Sequence, residues 1–139
     1  VRAADLSDAD LIADLERRAA HQPWSPRAVA SSLATQGTRA LLVGEPPSGY
    51  VVYNVVADQG EILTLAVTPE ARRRGHARTL LDAVLRDWRS RHVESGWLEV
   101  RADNEPALAL YAAAGWRVTG RRPAYYADGM DAVICRWSP

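Results

Sequence analysis

Apolar positions along this chain follow two periods, and each period marks a kind of element. The clearest set is Ala77, Leu80, Leu81, Val84, Leu85 and Trp88, recurring at i, i+3, i+4, i+7, i+8 and i+11. That single stripe predicts an amphipathic helix lying on a sheet. Leu11, Leu15 and Ala19 keep the same spacing after Ser7, with Asp10 three residues on, so a first helix is expected with Ser7 as its N-cap. Pro23-Trp24-Ser25-Pro26 interrupts it. Ser25 as N-cap with Pro26 in the first helical position opens a second short helix to about Thr35. Pro106–Ala114 reads as a last helix, with Gly115 placed to end it.

Between the helices the pattern is strand-like. Arg39–Gly44, Tyr50–Ala57 and Glu61–Val67 are rich in Val, Leu and Tyr, and turn residues at Pro46–Gly49 and Asp58–Gly60 separate them, which predicts an antiparallel meander. Glu45-Pro46-Pro47-Ser48-Gly49 is the only linker-like stretch, and no internal repeat occurs. Trp97–Val100, Trp116–Gly120 and Asp131–Trp137 supply further strands. The resulting order, β-α-α-β-β-β-α-β-α-β-β, predicts a mixed α/β sandwich with strand–helix–strand at its centre.

Composition narrows the function classes. With 139 residues, 47% apolar and 24% charged, the chain is expected to be one globular domain over 1–139. No run of 18 apolar residues exists, so no spanning helix is expected. Val1–Asp10 holds three aspartates and no apolar core, unlike a secretory signal. The one cysteine, Cys135, cannot form an internal disulfide, no Cys/His cluster suggests a metal, and a reducing cytoplasm fits. Cys135 sits in a predicted strand without a sequence-neighbouring His, so buried packing is expected rather than nucleophilic work. Seventeen basic and seventeen acidic residues cancel, leaving no overall field to draw nucleic acid or a membrane. All seventeen bases are Arg and there is no Lys, which a coding bias toward Ala and Arg accounts for.

Four segments hold candidate chemistry. Arg72-Arg73-Arg74-Gly75-His76-Ala77 opens the long helix, where free amides and the helix dipole suit a phosphate. A solvated arginine turn is the plainer reading. No Walker or Gly-x-Gly-x-x-Gly pattern is present. In Leu98-Glu99-Val100-Arg101-Ala102-Asp103-Asn104, strand alternation puts Glu99 and Arg101 on the face opposite Leu98 and Val100. Either Glu99 works there, or it is an exposed carboxylate paired with Arg101. Asn104 precedes a helix and suits its cap. Tyr111 falls on the last helix's stripe and reads equally as a core tyrosine. Arg121-Arg122-Pro123-Ala124-Tyr125-Tyr126 is a loop whose two tyrosines either clamp a peptide or anchor the loop.

Their order and spacing together resemble the GNAT superfamily of N-acetyltransferases. The matching pieces are Pro23-Trp24-Ser25, Leu65-Ala66-Val67-x-Pro69, Arg72-x-x-Gly75-x-Ala77, Leu98-Glu99-Val100-Arg101-x-x-Asn104, Ala109-Leu110-Tyr111-x-x-x-Gly115-Trp116, Gly120-x-Arg122-x-x-Tyr125-Tyr126 and Asp131-Ala132. Leu-Glu-Val-Arg with Arg-x-x-Tyr-Tyr is particular to the RimI-like branch, which acetylates the N-terminal alanine of a small-subunit ribosomal protein. Departures are Met130, where the family usually has Glu, Cys135 for Met, Trp116 for Phe, and Ala77 for the second Gly of the turn.

The resemblance implies an α/β GNAT fold: a mixed, mostly antiparallel seven-stranded sheet flanked by about four helices. It implies acetyl-CoA as co-substrate and direct transfer to an amine, with Glu99 as general base and Tyr111 as general acid. Leu65, Ala66 and Val67 would pair with the pantetheine arm. Arg72, Arg73, Arg74, Gly75, His76, Ala77 and Arg78 would hold the pyrophosphate, and Asn104 would contact the cofactor. Trp24, Arg122, Tyr125 and Tyr126 would meet a ribosomal-protein N-terminal peptide, with a monomer expected. An α-amino group with pKa near 8 is about one-tenth neutral at pH 7, whereas a lysine amine costs roughly 3 kcal/mol more to deprotonate. A single carboxylate can therefore serve an N-terminus. Other N-termini, lysine side chains or a small amine are the alternative acceptors. A non-catalytic acyl-CoA sensor would not need both Glu99 and Tyr111.

Overall fold

A computed structural model describes residues 1–19 and 23–139. Its strands and helices run β1 (Arg2–Ala4), α1 (Ala9–Ala19), α2 (Pro26–Ala34), β2 (Thr38–Val43), β3 (Gly49–Val56), β4 (Gln59–Val67), α3 (His76–Ser90), β5 (Ser95–Arg101), α4 (Glu105–Ala113), β6 (Arg117–Arg122) and β7 (Ala132–Trp137). All seven strands form one sheet in the order β1-β2-β3-β4-β5-β7-β6. Every neighbouring pair is antiparallel except β4 and β5, which the α3 crossover makes parallel.

One expectation fails at the start of the chain. Ser7 is not an N-cap but lies in a 3-10 turn, Leu6–Asp8, that runs into α1. Asp5 is the cap. Its carboxylate accepts from the Ser7 amide at 2.9 Å, while the Asp8 carboxylate accepts from the Asp5 amide at 3.1 Å. This reciprocal box satisfies two orphan donors, and a lone Ser7 hydroxyl could satisfy only one. Ser25 does cap α2, accepting from the Ala28 amide at 3.1 Å, with Pro26 next.

Strands β2, β3 and β4 divide their side chains between two cores, one on each face of the sheet. On β3, Val51 and Tyr53 pack toward α3 and α4, while Tyr50 and Val52 pack toward α1 and α2. The predicted α3 stripe supplies the first core: Leu80, Leu81, Val84, Leu85 and Trp88 are all buried. Burying each contributes about 1.5–3 kcal/mol. Trp88 is fully buried among Tyr53, Trp116 and Trp137, with ring centroids 6.3, 6.1 and 5.7 Å away. Cys135 belongs to the same core and is 2% exposed, as expected of a packing residue.

Two local features shape the middle of the sheet. The β3–β4 register slips between Val52↔Thr64 and Tyr53↔Ile62, so β4 carries a bulge at Leu63. The second feature is the β4–β5 junction. Only Gln59↔Ser95, Gly60↔Gly96 and Glu61↔Trp97 pair, and beyond them the two strands part. Trp88 lies over the Gly60–Gly96 rung. A Cβ on Gly60 would sit 2.4 Å from Trp88 Cε2, and one on Gly96 2.3 Å from Trp88 Cζ3. Glycine there lets the indole seat against both strands at the point where they begin to separate.

Candidate active site

The parting of β4 and β5 opens a cavity of about 750 Å³. Its walls combine Glu61–Ala66 of β4, Leu98–Arg101 of β5, Asn104 and Tyr111 at α4, Glu16 and Trp24 from the α1–α2 side, and Tyr125 with Tyr126 from the β6–β7 loop. Eight of the seventeen sequence-predicted site residues meet in this one place: Glu99, Tyr111, Leu65, Ala66, Asn104, Trp24, Tyr125 and Tyr126.

Glu99 and Tyr111 approach from opposite sides of the sheet. Leu98 and Val100 belong to the α3–α4 core, so alternation turns Glu99 to the other face. Tyr111, on α4, is 6% exposed and packs at 5.7 Å on Trp116 within the α3–α4 core. Burial pushes its phenol well above the usual tyrosine range, so the O–H keeps its proton at neutral pH. Glu99 does not pair with Arg101. Its Oε2 lies 3.3 Å from Arg122 Nε in an ion pair, yet this buried oxygen has no hydrogen bond. A buried acceptor left open is a place for a ligand donor.

Arg101 is engaged elsewhere. It bonds Asp103 at 3.2 and 3.3 Å and Asp128 at 3.2 and 2.8 Å, and its guanidinium covers Tyr126 at 5.1 Å. Arg122 likewise covers Tyr125 at 5.6 Å, and the two tyrosine rings meet edge-on at 5.1 Å. Asp131 ties the loop down through Arg121 Nε at 2.7 Å and the Ala124 amide at 2.8 Å. The two tyrosines thus line the cavity with a guanidinium against each ring.

Asn104 caps α4, its Oδ1 accepting from the Ala107 amide at 3.2 Å, and its exposed amide also lines the cavity. The arginine turn lies outside the cavity walls. Arg73 and Gly75 hold left-handed backbone, with φ of 66° and 77°. Gly75 is the N-cap of α3 and brings no side chain to it, so the first amides keep the open donors that suit a phosphate. Arg73 and Arg74 are exposed, with His76 and Ala77 half-buried beside them. Arg78 pairs with Asp82 at 2.9 Å. Arg72 is a brace. Its guanidinium donates to the Val67 carbonyl at 3.2 Å and the Ala19 carbonyl at 3.4 Å, joining β4 to α1. Val67 is buried and does not line the cavity.

Sequence reasoning missed two carboxylates. Glu16 is 2% exposed, accepts from the Tyr50 hydroxyl, and lies 3.3 Å from the Thr64 hydroxyl. Burial raises its pKa. Its position on the helix could have pointed to it, since Glu16 follows buried Ile12 by four residues on α1. Glu61 reads in the sequence only as the start of a strand. Its pKa is raised by burial and then by the charge of Glu99.

Comparison with known proteins agrees with this architecture. The model of the Acetyltransferase (GNAT) family matches residues 9–116, and the chain belongs to that family. Its co-substrate is acetyl-CoA. The chain is 33% identical over 141 residues to the [ribosomal protein bS18]-alanine N-acetyltransferase of Escherichia coli K12, covering 96% of this chain and 93% of that one. A putative enzyme of the same description from Bacillus subtilis is 28% identical over 140 residues, covering 99% and 93%. The crystal structure of the ribosomal-protein-S18-alanine N-acetyltransferase from E. coli superposes with a TM-score of 0.90 at 30% identity, covering 99% of this chain and 91% of that one. No described helix is long and apolar enough to cross a membrane.

Proposed function

We propose that residues 1–139 act as one N-acetyltransferase domain that acetylates the N-terminal alanine of a small-subunit ribosomal protein. The observation that carries this reading is the cavity at the β4–β5 parting, with Glu99 and Tyr111 on its walls from opposite faces of the sheet. The likeness to the E. coli enzyme, across nearly the whole of both chains, supports the acceptor.

Acetyl-CoA, when bound, supplies an acyl group activated as a thioester. The parted edge of β4 at Leu65 and Ala66 offers backbone groups to its arm, Asn104 offers its amide, and the Gly75-led amides of α3 offer donors to its diphosphate. Glu99 receives the amine's proton, directly or through a water, and Arg122 holds its carboxylate in place. Tyr111 gives a proton to the departing sulfur, a role suited to a phenol that burial keeps protonated. Tyr125, Tyr126 and Trp24 bound the side from which a peptide reaches Glu99.

Purified protein with acetyl-CoA and a panel of acceptors tests the reading. Acetylation of an alanine-initiated ribosomal peptide well ahead of lysine side chains and small amines is expected. Preference for a free small amine refutes the proposed acceptor, and no product with any amine refutes the activity.

A further inference from the structure

We propose that Glu16 is a positioning residue for the acceptor: it fixes Thr64 and Trp24 as the wall on which the substrate's first side chain packs, and so keeps that pocket small. This role rests on the acetyltransferase reading above. Glu16 is on α1 and 2% exposed, and among the described residues it is the only buried charged side chain. Four segments of the chain meet at its carboxylate. The Tyr50 hydroxyl of β3 donates to Oε2. The Thr64 hydroxyl of β4 lies 3.4 Å from Oε1, 3.3 Å from Oε2 and 3.4 Å from the Tyr50 oxygen. The Trp24 backbone amide, just ahead of α2, reaches the same carboxylate.

A carboxylate is an expensive way to fill this place. No cation among the described residues pairs with Glu16, and burying an acid without one carries a desolvation penalty that a leucine would not. What the carboxylate does instead is hold parts of the cavity wall. Glu16, Ala19, Trp24, Leu63 and Thr64 line the cavity that Glu99 also lines. The β4 bulge turns both Leu63 and Thr64 to the α1–α2 face of the sheet, and Trp24 packs on the core of that face. Tyr50 is fully buried and does not line the cavity, so it acts there only through Glu16 and Thr64.

With the substrate's α-amine at Glu99, its first side chain falls inside the same cavity. Thr64 is bonded to Glu16 and the Trp24 backbone is tied to α1, so that side chain meets a wall that does not give way. A methyl asks little of such a wall. A longer side chain must displace Thr64 or Trp24, and each hydrogen bond broken in doing so strands a buried polar group.

The test uses the full chain, acetyl-CoA and two peptides that differ only in their first residue, alanine or leucine, with coenzyme A release followed at steady state. Glu16→Ala is expected to raise KM for the alanine-initiated peptide about ten-fold with kcat changed far less, and to lower the preference for it over the leucine-initiated peptide by about ten-fold. Acetyl-CoA affinity, by calorimetric titration, should stay within about two-fold of wild type. Glu16→Gln keeps an acceptor for the Tyr50 hydroxyl and should fall between wild type and Glu16→Ala. An unchanged preference between the peptides overturns the proposal, as does a loss shared equally by kcat and acetyl-CoA affinity, which marks a general loosening of the fold. If Glu16→Ala does not fold, Tyr50→Phe, which removes one hydroxyl from the cluster and keeps the ring, must shift the preference in the same direction, and its failure to do so overturns the proposal. A wild-type chain inactive on every amine refutes the acetyltransferase reading itself, a result distinct from active variants that keep the wild-type preference.

Discussion

Adding a single methyl group at Gly96 tests how the cleft is held open. The new Cβ would lie 2.3 Å from Trp88 Cζ3, 2.9 Å from Cη2 and 3.1 Å from Cε3. Carbon atoms pack at about 3.5–4.0 Å, so the ring or the strand must yield by about 1.2 Å. The indole has nowhere to retreat, with Tyr53, Trp116 and Trp137 around it and no solvent exposure. Overpacking costs about 1–3 kcal/mol, and this site belongs at the upper end. Gly96→Ala should therefore unfold at a urea midpoint equivalent to a loss of about 3 kcal/mol. Its Tm should fall by about 10 °C. Because the shift lands on the rung where β4 and β5 part, acetyl-CoA affinity should fall too, measured by calorimetric titration. Trp88→Phe shortens the ring that collides. In a double-mutant cycle, Gly96→Ala with Trp88→Phe should be more stable than the sum of the single changes by about 1–2 kcal/mol. A Gly96→Ala protein within about 0.5 kcal/mol of wild type, with no coupling to Trp88, would refute the steric argument.

Two further outcomes are expected. Glu99→Gln should lower kcat by about 10²–10⁴ while leaving acetyl-CoA binding within a few-fold of wild type; steady-state kinetics showing more than a tenth of wild-type kcat would remove Glu99 from the role of base. Glu16 is buried and its folded pKa is raised, so the protonated form favours the native state and that stability is lost as pH climbs through the folded value. Denaturant titrations at stepwise increasing pH should therefore show Glu16→Gln gaining on wild type as pH rises above the ordinary glutamate range, and parallel curves would contradict this.

The elements were legible where packing obeys a period. The α3 stripe is the clearest case, since every one of Leu80, Leu81, Val84, Leu85 and Trp88 faces the sheet. The N-cap at Ser7 misled because two aspartates outside the apolar pattern form a better box around it. The parting of β4 from β5 had no sequence signal: Leu63 and Leu65 look like a continued strand, and the bulge that changes their phase depends on β3. The Gly60–Gly96 rung was hidden for a similar reason, since its meaning lies in an indole supplied by α3. The family resemblance singled out Glu99 and Tyr111, and both line the cavity, but that Arg122 rather than Arg101 pairs with Glu99 depends on β6 lying next to β7, two strands from β5.

The concealment of Cys135 bears on self-modification. Thioesters acylate thiolates and free amines, and the 139 residues contain no lysine side chain. Their single sulfhydryl is sealed within the α3–α4 layer, where burial also raises its pKa and so disfavours the reactive anion. Stored with a reactive acyl donor, the enzyme's side chains therefore do not consume it.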